Sequence, residues 1–140
     1  MTRKVSTRTT WEPVVGYSRA VAAGDFTEAG GRDGVQHLFE SGPRPTAVFA
    51  SNDLAAVGAL NAIEEAGYAV PRDISLVGYD NTALAALRHI SLTTIHQPRR
   101  RIGELAMAAL LRRVGRPRAR ASRQVLTPEL VVRGTTAPPP

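Results

Sequence analysis

Two short apolar runs, Thr46 to Ala50 (TAVFA) and Ile74 to Gly78 (ISLVG), flank a segment with helical spacing. Each run has the length of a strand and is rich in strand formers. A continuous apolar run of that kind suits a parallel strand buried on both faces. Between them, from Asp53 to Ala66, Leu54, Val57, Leu60 and Ile63 recur at i, i+3, and Gly67 stands where a C-cap is expected. Strand, helix and strand in that order imply a βαβ unit, hence a parallel sheet joined by right-handed crossovers.

The rest of the chain extends this pattern. Residues 1 to 19 show no period and read as irregular, and Ala20 to Ala23 as a short strand. Thr27 caps a helix expected to run to about Ser41, with Val35, Leu38 and Phe39 on one face. Gly30, Gly31 and Gly34 weaken its first turns, and Gly42-Pro43-Arg44-Pro45 stops it. Ala83 to Arg88 reads as one or two helical turns, and Leu92 to Ile95 as a third strand. Pro98 opens a helix to about Val114 with Ile102, Leu105, Ala109 and Leu110 inward. A polar linker over Gly115 to Ser122 precedes a last strand over Gln124 to Arg133. The expected organisation is an irregular segment over 1–19, an α/β domain over 20–136 and a disordered tail over 137–140.

Composition removes several classes. The 140 residues fit one domain. There is no cysteine, so neither a disulfide framework nor a thiolate site is available. No stretch approaches the roughly 18 to 20 apolar residues that a membrane span needs, and the basic N-terminus is followed by no apolar signal region. The net charge is +6, yet Arg99 to Arg123 alone holds nine Arg and one Glu, so the remainder is slightly acidic. Such a run either binds nucleic acid in a salt-sensitive way or forms a solvated face.

In open α/β sheets, ligands bind beyond the C-terminal ends of the strands. Phe26, the pair Asn52-Asp53, and Asp80 fall at three such ends. An amide and carboxylates suit a polyhydroxyl ligand such as a sugar, and an aromatic ring supplies a stacking face. Each also has a plainer role: Asn52 or Asp53 as a helix cap, Asp80-Asn81-Thr82 as a turn, Phe26 as core. His37 and His96 read as surface or packing residues, and His89 has no assignment. Catalytic patterns are missing: no phosphate loop, no zinc-ligand spacing, no nucleophile elbow and no triad signature. An enzyme is therefore not expected, nor a metal or other cofactor.

Four ordered motifs, PTAVFASNDLAAVGAL, VPRDISLVGYDN, LTTIHQP and TPELVVRGTT, closely resemble the C-terminal part of LacI/GalR-type bacterial transcriptional repressors. AGDFTEAGG is similar to that family's segment entering the effector cleft. The resemblance spans roughly Ala20 to Thr136. It implies a periplasmic-binding-protein-like type I fold with an effector cleft between two α/β subdomains. It also implies that Asn52 and Asp80 contact the effector, that Phe26 lies over it, and that Gln97 sits near the crossover and the cleft. Asp53 is then left to cap the helix or to support the effector contacts from behind.

The same resemblance implies a cytoplasmic regulator whose small effector, most often a sugar, controls operator affinity. It implies a homodimer formed partly through the helix after A-N-D, here on the side of Ala55, Ala56, Ala59 and Ala62. Family members carry a headpiece pattern like T-x-x-D-V-A-x-x-A-G-V-S, to which nothing in these residues corresponds. The hinge helix and most of the N-terminal sensor subdomain have no counterpart either. The truncation leaves helix Pro98 to Val114 without the sheet it would cover, so it is expected to be loosely docked or to pack on a partner chain. Two alternatives share the fold or the history: a sugar solute-binding protein of a transporter, and a non-functional truncated remnant.

Overall fold

The structure, a computed structural model, describes residues 3–5, 20–22, 25–116 and 123–138. Residues 117–122 of the linker expected over Gly115 to Ser122, most of the segment expected to be irregular, and the last two residues lie outside the described residues. Within residues 1–19, Arg3–Val5 forms a strand, β1, which pairs antiparallel with β2 (Ala20–Ala22) as a separate two-stranded ribbon.

Thr27 opens α1 (Glu28–Glu40), its hydroxyl accepting from the Gly30 amide at 3.1 Å. Then follow β3 (Ala47–Phe49), α2 (Asp53–Glu65) and β4 (Ser75–Asp80). A 3₁₀ turn over Leu84–Ala86 leads to β5 (Thr93–His96), α3 (Arg99–Gly115) and β6 (Glu129–Val131). The main sheet has the order β3-β4-β5-β6. The first three strands are parallel and β6 runs antiparallel to β5, so the sheet is mixed. The last strand is far shorter than the expected Gln124 to Arg133. At the end of α2 the cap is Ala66, and Gly67 follows it in the left-handed region (φ +83).

The core lies on one face of this sheet. Leu76 and Gly78 of β4 point toward α2, and Ala56, Ala59, Ala62 and Ile63 of α2 meet them in a buried cluster with Ile74, Ala85 and Leu92. Helix α1 stacks on α2 through two glycines. A Cβ on Gly31 would fall 1.9 Å from the Ala55 carbonyl oxygen, and one on Gly58 would fall 1.8 Å from that of Glu28. The helices therefore touch backbone to backbone, which no larger residue permits. The glycines that weaken α1 as an isolated helix are what lets it dock.

Three expectations need correction. The inward face of α2 is its alanine side, with Leu54 exposed and Val57 and Leu60 half-buried. Ala55, Ala56, Ala59 and Ala62 are thus consumed inside the chain and are not a dimer surface. Strand β3 is not buried on both faces: it is the edge strand, and Phe49 is 61% exposed on the face away from α2, its ring edge-on to Tyr79 at 6.3 Å. Helix α3 buries no residue: Ile102 and Leu110, placed inward by the helical spacing, face solvent and Leu105 and Ala109 are half-buried, in keeping with the loose docking expected of this helix.

The C-terminal segment closes the lower end of the sheet. The Leu76 amide donates to the Thr135 carbonyl at 2.8 Å, and the Thr93 amide donates to the Thr135 hydroxyl at 2.8 Å. Thr135 thereby bridges β4 and β5 where the two strands begin. One residue of the segment expected to be a disordered tail, Ala137, exchanges two 3.2 Å hydrogen bonds with the Ser75 hydroxyl.

Candidate functional site

The parallel strands bring their C-terminal ends to one rim, and the sequence places short polar residues there. At the end of β3, Asn52 precedes α2 and is its N-cap, Oδ1 accepting from the Ala55 amide at 2.7 Å. Its Nδ2 donates to the Phe26 carbonyl at 2.8 Å. One amide thus fixes both the start of α2 and the loop entering α1. Phe26 has φ 65 and its ring is 62% exposed. The core role open to Phe26 is excluded: the ring stands at the rim, available to stack. Beside it, the Thr27 hydroxyl and amide both donate to Asp25, at 2.5 and 3.1 Å, and hold that carboxyl below its usual range.

At the end of β4 the backbone turns sharply. Asp80 has φ 108 and Asn81 φ 51, a left-handed geometry that side chains seldom adopt. Consecutive non-glycine residues of this kind are held by their surroundings. Gln97, just beyond β5, donates from Nε2 to Asp80 Oδ1 at 2.6 Å. The Asn81 side chain lies between His96 Nδ1, at 3.2 Å, and Arg133, whose guanidinium donates to Oδ1 at 2.7 Å and to the Leu92 carbonyl at 2.8 Å. Asp80 and Gln97 are half-buried, with unused hydrogen-bonding capacity.

Asp53 is not the cap. Its side chain is fully buried and points under the rim, where Oδ2 accepts from the Thr82 amide at 2.5 Å and the Thr82 hydroxyl at 2.8 Å. Oδ1 accepts from the Thr94 hydroxyl at 2.5 Å. The rim was expected of Asn52 and the cap of Asp53; Asn52 takes both positions, and Asp53 ties three elements from below.

The structure joins Asn52 to Phe26 and Asp80 to Gln97 by direct hydrogen bonds, and connects the two pairs through Asp53 and Thr82. A cavity of about 580 Å³ opens to one side, against His96, Gln97, Arg100 and Glu104. It shares only Gln97 with the four rim residues, so it flanks the polar rim and does not coincide with it. Sequence reasoning passed over Arg133 and gave His96 only a surface or packing role. Arg133 lies inside the V-V-R-G-T-T stretch, where a basic residue at a strand end was the available signal. Among the described residues, no group of three or more His, Cys, Asp or Glu could hold a metal ion. Nor, among them, is any helix long and apolar enough to cross a membrane.

A mixed sheet with helices and a polar rim at the strand ends defines the sensor-type α/β class. The chain belongs to the periplasmic binding protein-like domain family, whose profile matches residues 6–136. It is 44% identical over 112 residues to the ribose operon repressor of Escherichia coli (strain K12), covering 80% of this chain and 34% of that one. Among solved structures it is similar to a transcriptional regulator CelR–cellobiose complex (TM-score 0.80, 30% identity, 89% of this chain and 39% of the other). It is also similar to a LacI family transcriptional regulator from Enterococcus faecium with bound ribose (TM-score 0.70, 34% identity, 81% and 42%). The chain spans about a third of the length of the curated relatives it matches.

Proposed function

We propose that this chain is the effector-sensing part of a LacI-type transcriptional regulator, most simply a repressor, that binds a small carbohydrate. The observation that carries the reading is the rim: Phe26, Asn52, Asp80 and Gln97 come from four separate segments and are locked together at the strand ends. Ring, amides and carboxylate supply the stacking face, donors and acceptors that a sugar needs. Relatives solved with ribose and with cellobiose support the ligand class. The proposal is a cytoplasmic, non-catalytic protein. Operator contact belongs to a headpiece of a kind that none of these residues resembles, coupled to the sensor allosterically. A homodimer is retained, through a surface other than the alanine side of α2.

The test is a thermal-shift and calorimetric titration of the 140-residue chain with a panel of pentoses and hexoses that includes D-ribose. Wild type should bind at least one of them. Asp80→Ala should weaken that binding at least about tenfold, roughly 1.4 kcal/mol. No response to any sugar would remove the carbohydrate reading, and binding unchanged by Asp80→Ala would remove this site.

A further inference from the structure

The buried carboxylate of Asp53 asks for an explanation. Withdrawing a carboxylate from water is costly unless hydrogen bonds replace the lost hydration. A first-turn acid does favour a helix N-terminus, but an exposed one serves equally well. Here the fold makes room for it: a Cβ on Gly78 would fall 2.7 Å from Asp53 Oδ1, so the glycine in β4 keeps the carboxylate's space open. The carboxylate uses that space to reach Thr82, the residue directly after the left-handed pair Asp80 and Asn81.

We propose that Asp53 is a positioning residue for the effector site: it fixes the Thr82 amide and thereby sets the left-handed backbone that presents Asp80 at the rim. This role rests on reading the rim as an effector site. Each left-handed non-glycine residue is strained and persists only where its neighbours over-determine it. Asp53 grips the turn from below through two hydrogen bonds to Thr82, while Gln97 and Arg133 grip it from above. Its third bond, to the Thr94 hydroxyl, anchors the grip to β5. The Asn-Asp pair at the start of α2 thus serves two loops, Asn52 the one at Phe26 and Asp53 the one at Asp80.

The test uses the full chain with Asp53→Ala, Asp53→Asn and Thr94→Val. Amide exchange at Thr82 is compared with that at Leu76 in the core, and D-ribose affinity is measured in parallel. Asp53→Ala should raise exchange at Thr82 at least tenfold more than at Leu76, and weaken ribose binding at least tenfold. Asp53→Asn keeps one acceptor and should recover most of both. Thr94→Val removes the anchor to β5 and the acceptor of the Asn81 amide, so it too should raise exchange at Thr82 and weaken ribose binding, by at least threefold. If Asp53→Ala does not fold, Asp53→Asn decides, with a smaller rise of about twofold in exchange at Thr82 against an unchanged Leu76. Exchange rising equally at Thr82 and Leu76, or a freed turn with ribose affinity intact, would overturn the proposal. A wild type that binds no ribose counts against ribose as effector, while the exchange ratio still decides whether Asp53 sets the turn.

Discussion

Helices α2 and α3 are built from similar letters and end up in opposite environments. Helix α2 has 13 residues and buries seven of them, including a carboxylate. Helix α3 has 17 residues and buries none, although Ile102, Met107, Leu110, Leu111 and Val114 lie along it. Size of side chain is not what separates them. Helix α2 succeeds with alanines and one glycine because α1 and β4 come close enough for small residues to fill the gap. Helix α3 meets no comparable surface among the described residues. Three Arg in its first turn also oppose the positive end of the helix dipole. Glu104 partly offsets them, accepting from Arg100 at 3.1 Å and Arg101 at 3.2 Å, which at this exposure contributes a few tenths of a kcal/mol. Burial here follows from what faces a helix, not from how apolar the helix is.

Glycine substitutions put the sharpest strain on that contrast. Gly58→Ala would drive a Cβ into the backbone carbonyl of Glu28, an atom that cannot swing aside. The expected loss is about 3 kcal/mol, the upper end of the overpacking range, read as a fall in the chemical-denaturation midpoint. A loss below about 0.5 kcal/mol would mean that α1 and α2 are not in backbone contact in solution.

The same exchange in α3 should have the opposite sign. A Cβ on Gly103 meets nothing within 4 Å. Gly103→Ala therefore adds only helix propensity, about 0.5–1 kcal/mol in favour of the helical state. Helical ellipticity should rise without a change in the cooperative unfolding midpoint. A destabilising result would show that something packs against Gly103.

The sequence made the elements legible and left their surroundings obscure. Thr27, Asn52 and Gly67 mark helix ends by local chemistry, and local chemistry is what a sequence displays. The rim residues Asn52 and Asp80 were legible for a related reason: strand ends in a parallel sheet all point one way. Three things were not. Gly31 read as a weakness in α1, because its partner Ala55 belongs to a helix 24 positions on. Asp53 read as a cap or a support with no named partner, because Thr82 and Thr94 are brought beneath it only by the crossover. Phe49 read as buried, because an apolar run does not say whether its strand is central or at an edge. Each of these three failures concerns a contact between distant segments, and so does the misread face of α2, where the closeness of α1 and β4 turned the alanines inward in place of the leucines at i, i+3.

The smallest expected effect tests the weak side of the comparison. Leu111 is 64% exposed on α3. Leu111→Ser removes an apolar side chain that touches little, so unfolding free energy should change by no more than about 0.5 kcal/mol. A buried leucine would cost several times that. Amide exchange supplies a second reading. Isolated helices of this length are marginal in water, so α3 should exchange fast while Leu76 and Gly78 of β4 stay protected. Protection of α3 equal to that of β4, together with a large loss for Leu111→Ser, would show the helix docked on a second chain or on residues outside the described set. The burial difference between α2 and α3 would then be a property of the single chain alone, erased on assembly.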